Sequence, residues 1–103
     1  MADLSFHKNQ FRNKVSQNAK KIRRRDQLVL RYRPLVDGAA NDIFYKMSRA
    51  IEWDDLQQIG MLALVQAAEK FEDRGVGFAA YAKLRVKGAM IDALRSHSDE
   101  SRT

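Results

Sequence analysis

The chain has 103 residues, a formal net charge of +6 at neutral pH and no cysteine. This length is typical of one small domain. Without cysteine there are no disulfides, cysteine nucleophiles or thiolate metal sites. No apolar run is long enough to cross a membrane, and the basic N-terminus has no apolar stretch after it that would make a secretory signal. A cytoplasmic location and no membrane partner are therefore the default expectations.

The charge is distributed unevenly along the chain. Residues 1–33 carry +8, residues 34–73 carry −5 and residues 74–103 carry +3. Basic segments attract polyanions, whereas an acidic segment does not. This pattern predicts two kinds of partner, with polyanions at the two ends and something else in the centre.

The first 24 residues are polar and basic, with a few apolar residues at helical spacing. Both a frayed tail and a loosely docked helix are compatible with this pattern. We divide the chain into a basic, partly disordered N-terminal extension over 1–24, a helical domain over 25–96 and a frayed tail over 97–103.

A helix is predicted from about Arg25 to Arg33. Pro34 has no amide proton and disfavours helix in the residue before it, so it predicts a kink and a new segment that ends near Met47. Helical spacing of apolar residues continues across the proline, which favours a kink over a reversal. The predicted fold class is all-α, a small compact domain of three to four main helices with a kink near Pro34.

The central helix is predicted to begin with Asp54 as its cap, paired with Gln57 in a capping box, and to end near Phe71. One stripe predicts the core, and Gly60 within it indicates close helix packing. That stripe comprises Leu56, Gly60, Ala63, Leu64, Ala67 and Phe71. A surplus apolar group lies on the opposite side: Met61, Leu62 and Val65. Either another helix of the domain or a separate partner covers this group.

After a loop with two glycines, the last helix is predicted over residues 79–95. We expect one core made by the helices together, with Leu35, Phe44, Leu56, Leu64, Phe71, Val86 and Met90. The outer side of the last helix carries mainly basic residues, two aromatic residues stand at its entrance, and Gly88 leaves a gap in it. A basic helix of this kind can hold phosphates and stack bases, which favours nucleic acid over a small metabolite. The alternative is an ordinary solvated charged face.

Little in the sequence indicates catalysis. His7 and His97 lie in the two tails, and there is no phosphate-binding glycine loop and no nucleophile with a plausible base. We expect no enzyme activity, no cofactor and no metal site.

Four blocks of the sequence resemble region 2 of bacterial sigma factors. In order they are residues 30–36 (LRYRPLV), 53–60 (WDDLQQIG), 71–75 (FEDRG) and 78–95 (FAAYAKLRVKGAMIDALR). The end of the last block is most similar to the flagellar (motility) sigma factor group. The resemblance covers about residues 26–96, with the blocks in the family's order and spacing.

The resemblance implies two binding surfaces. In sigma factors the central helix docks on the coiled coil of the β′ subunit of core RNA polymerase. The matching positions here are Asp55, Gln58, Ile59, Met61, Leu62 and Val65. The following helix recognises the minus-ten promoter element and holds its non-template strand as the duplex opens. The matching positions are Phe78, Tyr81, Lys83, Leu84, Arg85, Lys87, Gly88 and Ile91.

The chain departs from the family pattern at several positions. Ala80 stands where threonine or serine is common, Lys87 replaces the usual arginine, and Ala63 replaces a glycine. Leu84 and Arg85 lie where housekeeping sigma factors carry a tryptophan pair, which agrees with the flagellar group.

Three interpretations stay open. The first is a promoter-opening sigma domain, which here ends before the domains that read the minus-35 element in this family. The second is a short sigma-like regulator that binds core polymerase or an anti-sigma protein without autonomous promoter recognition. The third, outside the family, is a generic basic helical DNA-binding protein. The basic residues 8–25 have no counterpart that we can match to the family.

Overall fold

A computed structural model describes residues 4–101 apart from 73, 74 and 76, with side chains described from residue 12 to residue 98. Three helices form this part of the chain: α1 (Leu4–Lys46), α2 (Trp53–Lys70) and α3 (Phe78–Ser101). The predicted all-α class is confirmed, with three main helices. None of these helices, over the described residues, is long and apolar enough to cross a membrane.

α1 is one helix of 43 residues that passes through Pro34. The predicted start near Arg25 and the predicted end at Arg33 are therefore wrong. An internal proline leaves the carbonyl four residues earlier without its donor, at a cost of about 3 kcal/mol. Here that carbonyl belongs to Leu30, which is 70 % exposed, so water can replace the missing bond. Burial of Val36 and Ile43 after the proline holds the helix together.

The helix also covers most of the predicted N-terminal extension, 1–24. Its side chains from Arg12 to Arg24 are exposed, except for a half-buried Ala19. At the other end, α3 continues past its predicted end at Arg95 to Ser101. The division of the chain at residues 24 and 97 stays a prediction.

The core lies where the three helices meet. Its buried members are Val36, Ala39, Ala40 and Ile43 of α1, Leu56, Ala63, Leu64 and Ala67 of α2, and Phe78, Ala82, Val86 and Met90 of α3. Four of the seven predicted core residues are fully buried: Leu56, Leu64, Val86 and Met90. The other three are half-buried and pack on the edge of the core: Leu35, Phe44 and Phe71. No polar or charged side chain of the described part is buried.

Gly60 is the point of closest helix packing. A Cβ atom placed there would lie 2.8 Å from Val36 Cγ1 and 3.3 Å from Val86 Cγ1, and it would also collide with the terminal methyl of Met90. The missing side chain therefore lets α2 approach both α1 and α3, as the mid-helix glycine predicted.

The start of α2 differs from the prediction. The helix begins at Trp53 with Glu52 as its N-cap, and no side chain makes a capping hydrogen bond. The predicted capping box of Asp54 and Gln57 is therefore wrong, and Asp54 instead lies in the first turn, where its charge favours the helix dipole. Trp53 Nε1 donates to Asn41 Oδ1 at 2.8 Å. This bond ties the start of α2 to α1.

Leucine truncation on the two sides of α2 should separate core from surface. Leu64→Ala removes a fully buried side chain and should lower the free energy of unfolding by about 2–5 kcal/mol. Leu62→Ala, the control in the same helix, should change it by less than about 0.5 kcal/mol, because Leu62 is 61 % exposed. Urea denaturation measures both values, and equal losses would contradict this assignment of the core.

Two glycine substitutions should have opposite effects on stability. Gly60→Ala should lower the unfolding free energy by about 1–2 kcal/mol, because overpacking outweighs the better helix propensity of alanine. At Gly88 a Cβ would meet nothing within 4 Å. Gly88→Ala should therefore raise stability by about 0.5–1 kcal/mol. Thermal melts of both variants check this, and a stabilising Gly60→Ala would show that α2 does not pack this closely.

Candidate functional site

Two outward faces remain once the core has formed. The α2 face comprises Asp55, Gln58, Met61, Leu62 and Val65. The α3 face comprises Lys83, Leu84, Arg85, Lys87 and Gly88. Each face lies on the side of its helix away from the core. The packing that buries the apolar stripe of a helix therefore leaves this face exposed to solvent and to partners.

The α2 face is centred on an exposed leucine. Leu62 is 61 % exposed, whereas Met61 and Val65 beside it are half-buried. Met61 also packs against the edge of the core, so two of the three surplus apolar residues are partly covered by the domain itself. Asp55 and Gln58 are exposed alongside. Ile59, the sixth predicted residue, lies at the margin of this face and packs on the core edge.

The α3 face combines cations with a second exposed leucine. Leu84 is 74 % exposed, Lys83 and Arg85 are exposed, and Lys87 is half-buried. Within the described part of the chain, none of these three cations forms a salt bridge. Unpaired cations on a helix are available to phosphate groups.

An open groove of about 360 Å³ lies between α2 and α3. It is lined by Ala63, Gln66, Leu84, Arg85, Gly88, Ala89 and Asp92. The small residues form an apolar wall, while the amide, the guanidinium and the carboxylate offer both hydrogen-bond donors and acceptors. An apolar wall with a few polar groups is the environment that accepts an unstacked base.

Four residues of this groove were not among the predicted site residues: the small Ala63 and Ala89 and the polar Gln66 and Asp92. Asp92 could have been found, because it follows Leu84 and Gly88 at four-residue steps along one side of the helix. Gln66 could not have been found, because only the packing angle between α2 and α3 brings it into the same groove as Arg85.

The two aromatic side chains at the start of α3, Phe78 and Tyr81, are partly or fully buried against the core. Phe78 is only 7 % exposed, and its ring centroid lies 5.1 Å from that of Tyr32 and 5.2 Å from that of Phe71. Its ring is therefore not available to stack on a base in this structure. Tyr81 is half-buried, with its ring 5.6 Å from Phe71. Ile91 is also half-buried against the core edge.

Over the described residues, no group of three or more His, Cys, Asp or Glu side chains is placed to hold a metal ion. The site consists of cations, carboxylates, aliphatic side chains, one tyrosine ring and amide groups. These groups can bind a helix or a strand of nucleic acid by surface contact.

Comparison with known proteins identifies relatives. The chain is 38 % identical over 71 residues to RNA polymerase sigma factor FliA of Pseudomonas aeruginosa, an alignment that covers 68 % of this chain and 29 % of that protein. It is 40 % identical over 79 residues to the RNA polymerase sigma-D factor of Bacillus subtilis, covering 76 % and 31 %. It is also 40 % identical over 67 residues to RNA polymerase sigma factor FliA of Escherichia coli K12, covering 64 % and 28 %.

The chain thus spans less than a third of the length of these relatives. No solved structure matches it. Residues 28–100, which include most of the core and both outward faces, match the sigma-70 region 2 family. The chain therefore belongs to the sigma-70 region 2 family, and within it is most similar to the flagellar sigma factor group.

Proposed function

We propose that this chain is a non-enzymatic sigma factor domain of the cytoplasm that binds core RNA polymerase and recognises and helps open the minus-ten promoter element. One observation carries the proposal. A domain of this family leaves an apolar and acidic face on α2 and an unpaired basic face on α3, so two chemically different partners can bind at once.

The α2 face suits a helical protein partner. An exposed leucine flanked by half-buried apolar residues can enter a shallow groove, with the polar residues around it at the rim. The partner proposed from the family is the coiled coil of the β′ subunit. The same face would suit an anti-sigma protein that competes with the polymerase.

The α3 face suits a single strand of DNA. Lys83 and Lys87 would hold phosphates, which positions the strand without reading its sequence. Arg85 would hold a phosphate and, because it lines the groove, would also donate to the base that enters it. An unstacked base would then enter the groove beside Gly88, where the absence of a Cβ leaves room, and the half-buried ring of Tyr81 would offer a stacking surface.

Strand opening by this route is a matter of binding. Each base stacked on the protein contributes about 1–3 kcal/mol. Each base-pair step of duplex contributes about 1.4 kcal/mol of stacking. Capture of two or three unstacked bases is therefore comparable to the cost of opening a few base pairs, and no catalytic group is required.

Phe78 and Ile91 have supporting roles in this proposal. Phe78 packs between Tyr32 and Phe71 and so fixes the start of α3 and the position of Tyr81. Ile91 holds the middle of α3 to the core edge. Both residues would act by positioning the α3 face instead of touching DNA.

Removal of the exposed leucine should weaken polymerase binding. Full burial of a leucine contributes about 1.5–3 kcal/mol, so Leu62→Ser should reduce affinity for core polymerase by about tenfold or more. Leu30→Ser is the control, because Leu30 is similarly exposed on α1 and outside the proposed interface. Affinity is measured by fluorescence anisotropy against purified core enzyme. Equal effects of the two variants, or none, would contradict the α2 interface.

Removal of a single cation should weaken strand recognition. Arg85→Gln should lower the preference for a minus-ten non-template oligonucleotide over a scrambled one, and it should reduce the log–log salt slope by about 0.7 for one lost phosphate contact. Arg95→Gln is the control, because Arg95 lies further along α3 and approaches Asp92 at 4.0 Å. Its preference should match that of the unmodified chain.

If Arg95→Gln lost the preference for the minus-ten strand and Arg85→Gln kept it, recognition would lie further along α3 than proposed. Binding to core polymerase with no strand preference in the unmodified chain would favour the alternative function, a sigma-like regulator without autonomous promoter recognition.

A further inference from the structure

The first half of α1 carries a concentrated positive charge that the proposed function does not use. Residues 12–25, here called the basic segment, hold seven Lys or Arg residues and no Asp or Glu. The segment precedes the region that matches the sigma family, which begins at residue 28. It is helical throughout.

The cations of the basic segment are exposed and mostly unpaired. Within the described part of the chain, Arg25 is the one cation of the segment with a salt bridge. Its Nη1 donates to Glu69 Oε1 at 3.1 Å, and its Nη2 donates to Asp26 Oδ1 at 3.2 Å. These hydrogen bonds, to Glu69 first and then to Asp26, raise the pKa of the Arg25 guanidinium. The other six cations are free to meet an external polyanion.

The bond between Arg25 and Glu69 attaches the basic segment to the C-terminal end of α2. A groove at this junction is lined by Lys21, Arg24 and Phe71, among others. The ring of Phe71 also packs against the ring of Tyr81 in α3, with the ring centroids 5.6 Å apart. The basic segment therefore leaves the domain at the end where α3 begins, and the rings of Phe71 and Tyr81 lie between it and the α3 face.

We infer that the basic segment binds the phosphate backbone of duplex DNA that adjoins the strand held by α3. The segment rises about 20 Å, which corresponds to about six base pairs of duplex. Phosphate contacts carry no base information, so this contact adds affinity without sequence preference. The inference rests on the proposed function, because the position of the duplex is set by the strand on α3.

The distribution of the cations around the helix favours DNA over an acidic protein helix. At 100° per residue, Arg23 and Lys21 lie about 160° apart around the axis. An acidic helix would contact one side of α1, whereas the major groove of DNA admits a helix between two rows of phosphates. The exposed apolar pair Val15 and Ile22, which a protein helix would have to cover, occupies a third side.

The test measures the salt dependence of duplex binding by the full chain. Lys21→Gln with Arg23→Gln removes one cation from each side of the segment. The log–log slope for a forked probe, a duplex arm carrying the minus-ten non-template strand, should fall by up to about 1.8. The control, Lys46→Gln with Arg49→Gln, removes the same charge near the other end of α1 and should leave the slope nearly unchanged. Equal slopes for the two variants would overturn the inference.

Two further measurements distinguish a failure of this inference from a failure of the proposed function. Lys21→Gln with Arg23→Gln should leave the preference for the minus-ten strand over a scrambled strand unchanged. Arg85→Gln should lower that preference, but the duplex arm should still add the same affinity as it does for the unmodified chain. Val15→Gln with Ile22→Gln should not weaken duplex binding. A loss in that variant as large as in the charge variant, or no binding of the duplex arm by the unmodified chain, would overturn the inference.

Discussion

The close approach of three helices at Gly60 is the contact on which the rest of this domain depends. Val36, Val86 and Met90 all converge on the space that a side chain at this position would fill. With α2 this close to both neighbours, alanines such as Ala63 and Ala67 are enough to complete the interior. The larger apolar residues Leu62 and Leu84 are then left outside, where they are free for partners.

Periodicity alone was sufficient to predict the centre of the core, because one stripe of each helix is consistently apolar. The fully buried Leu56, Leu64, Val86 and Met90 were all found in this way. The continuity of α1 could not be predicted, because it depends on Pro34 facing solvent and on packing after it. The start of α2 was misplaced for a similar reason, since a tertiary hydrogen bond from Trp53 to Asn41, which the local pattern does not show, anchors that end of the helix to α1.

The sequence predicted which residues of the candidate site face outward, but it did not predict which of them are buried or which residues of different helices lie together. Spacing on a helix places Lys83 and Arg85 away from the core, and it places Leu62 opposite the buried stripe. It does not reveal that the Phe78 ring turns inward to Tyr32 and Phe71, because the local pattern at a helix start is the same for an inward and an outward ring. It also cannot bring Gln66 of one helix opposite Arg85 of another.

The passage of α1 through Pro34 without interruption has a mechanical consequence. A continuous helix transmits rotation, so the angular position of every basic side chain in its first half is set by the packing of Val36 and Ile43 in the core. One residue added between the basic segment and the core would swing all the cations by about 100° together, whereas seven residues would return them to nearly the same orientation, about 10 Å further out. Insertions in this stretch therefore change where the basic side chains point through rotational phase more than through length.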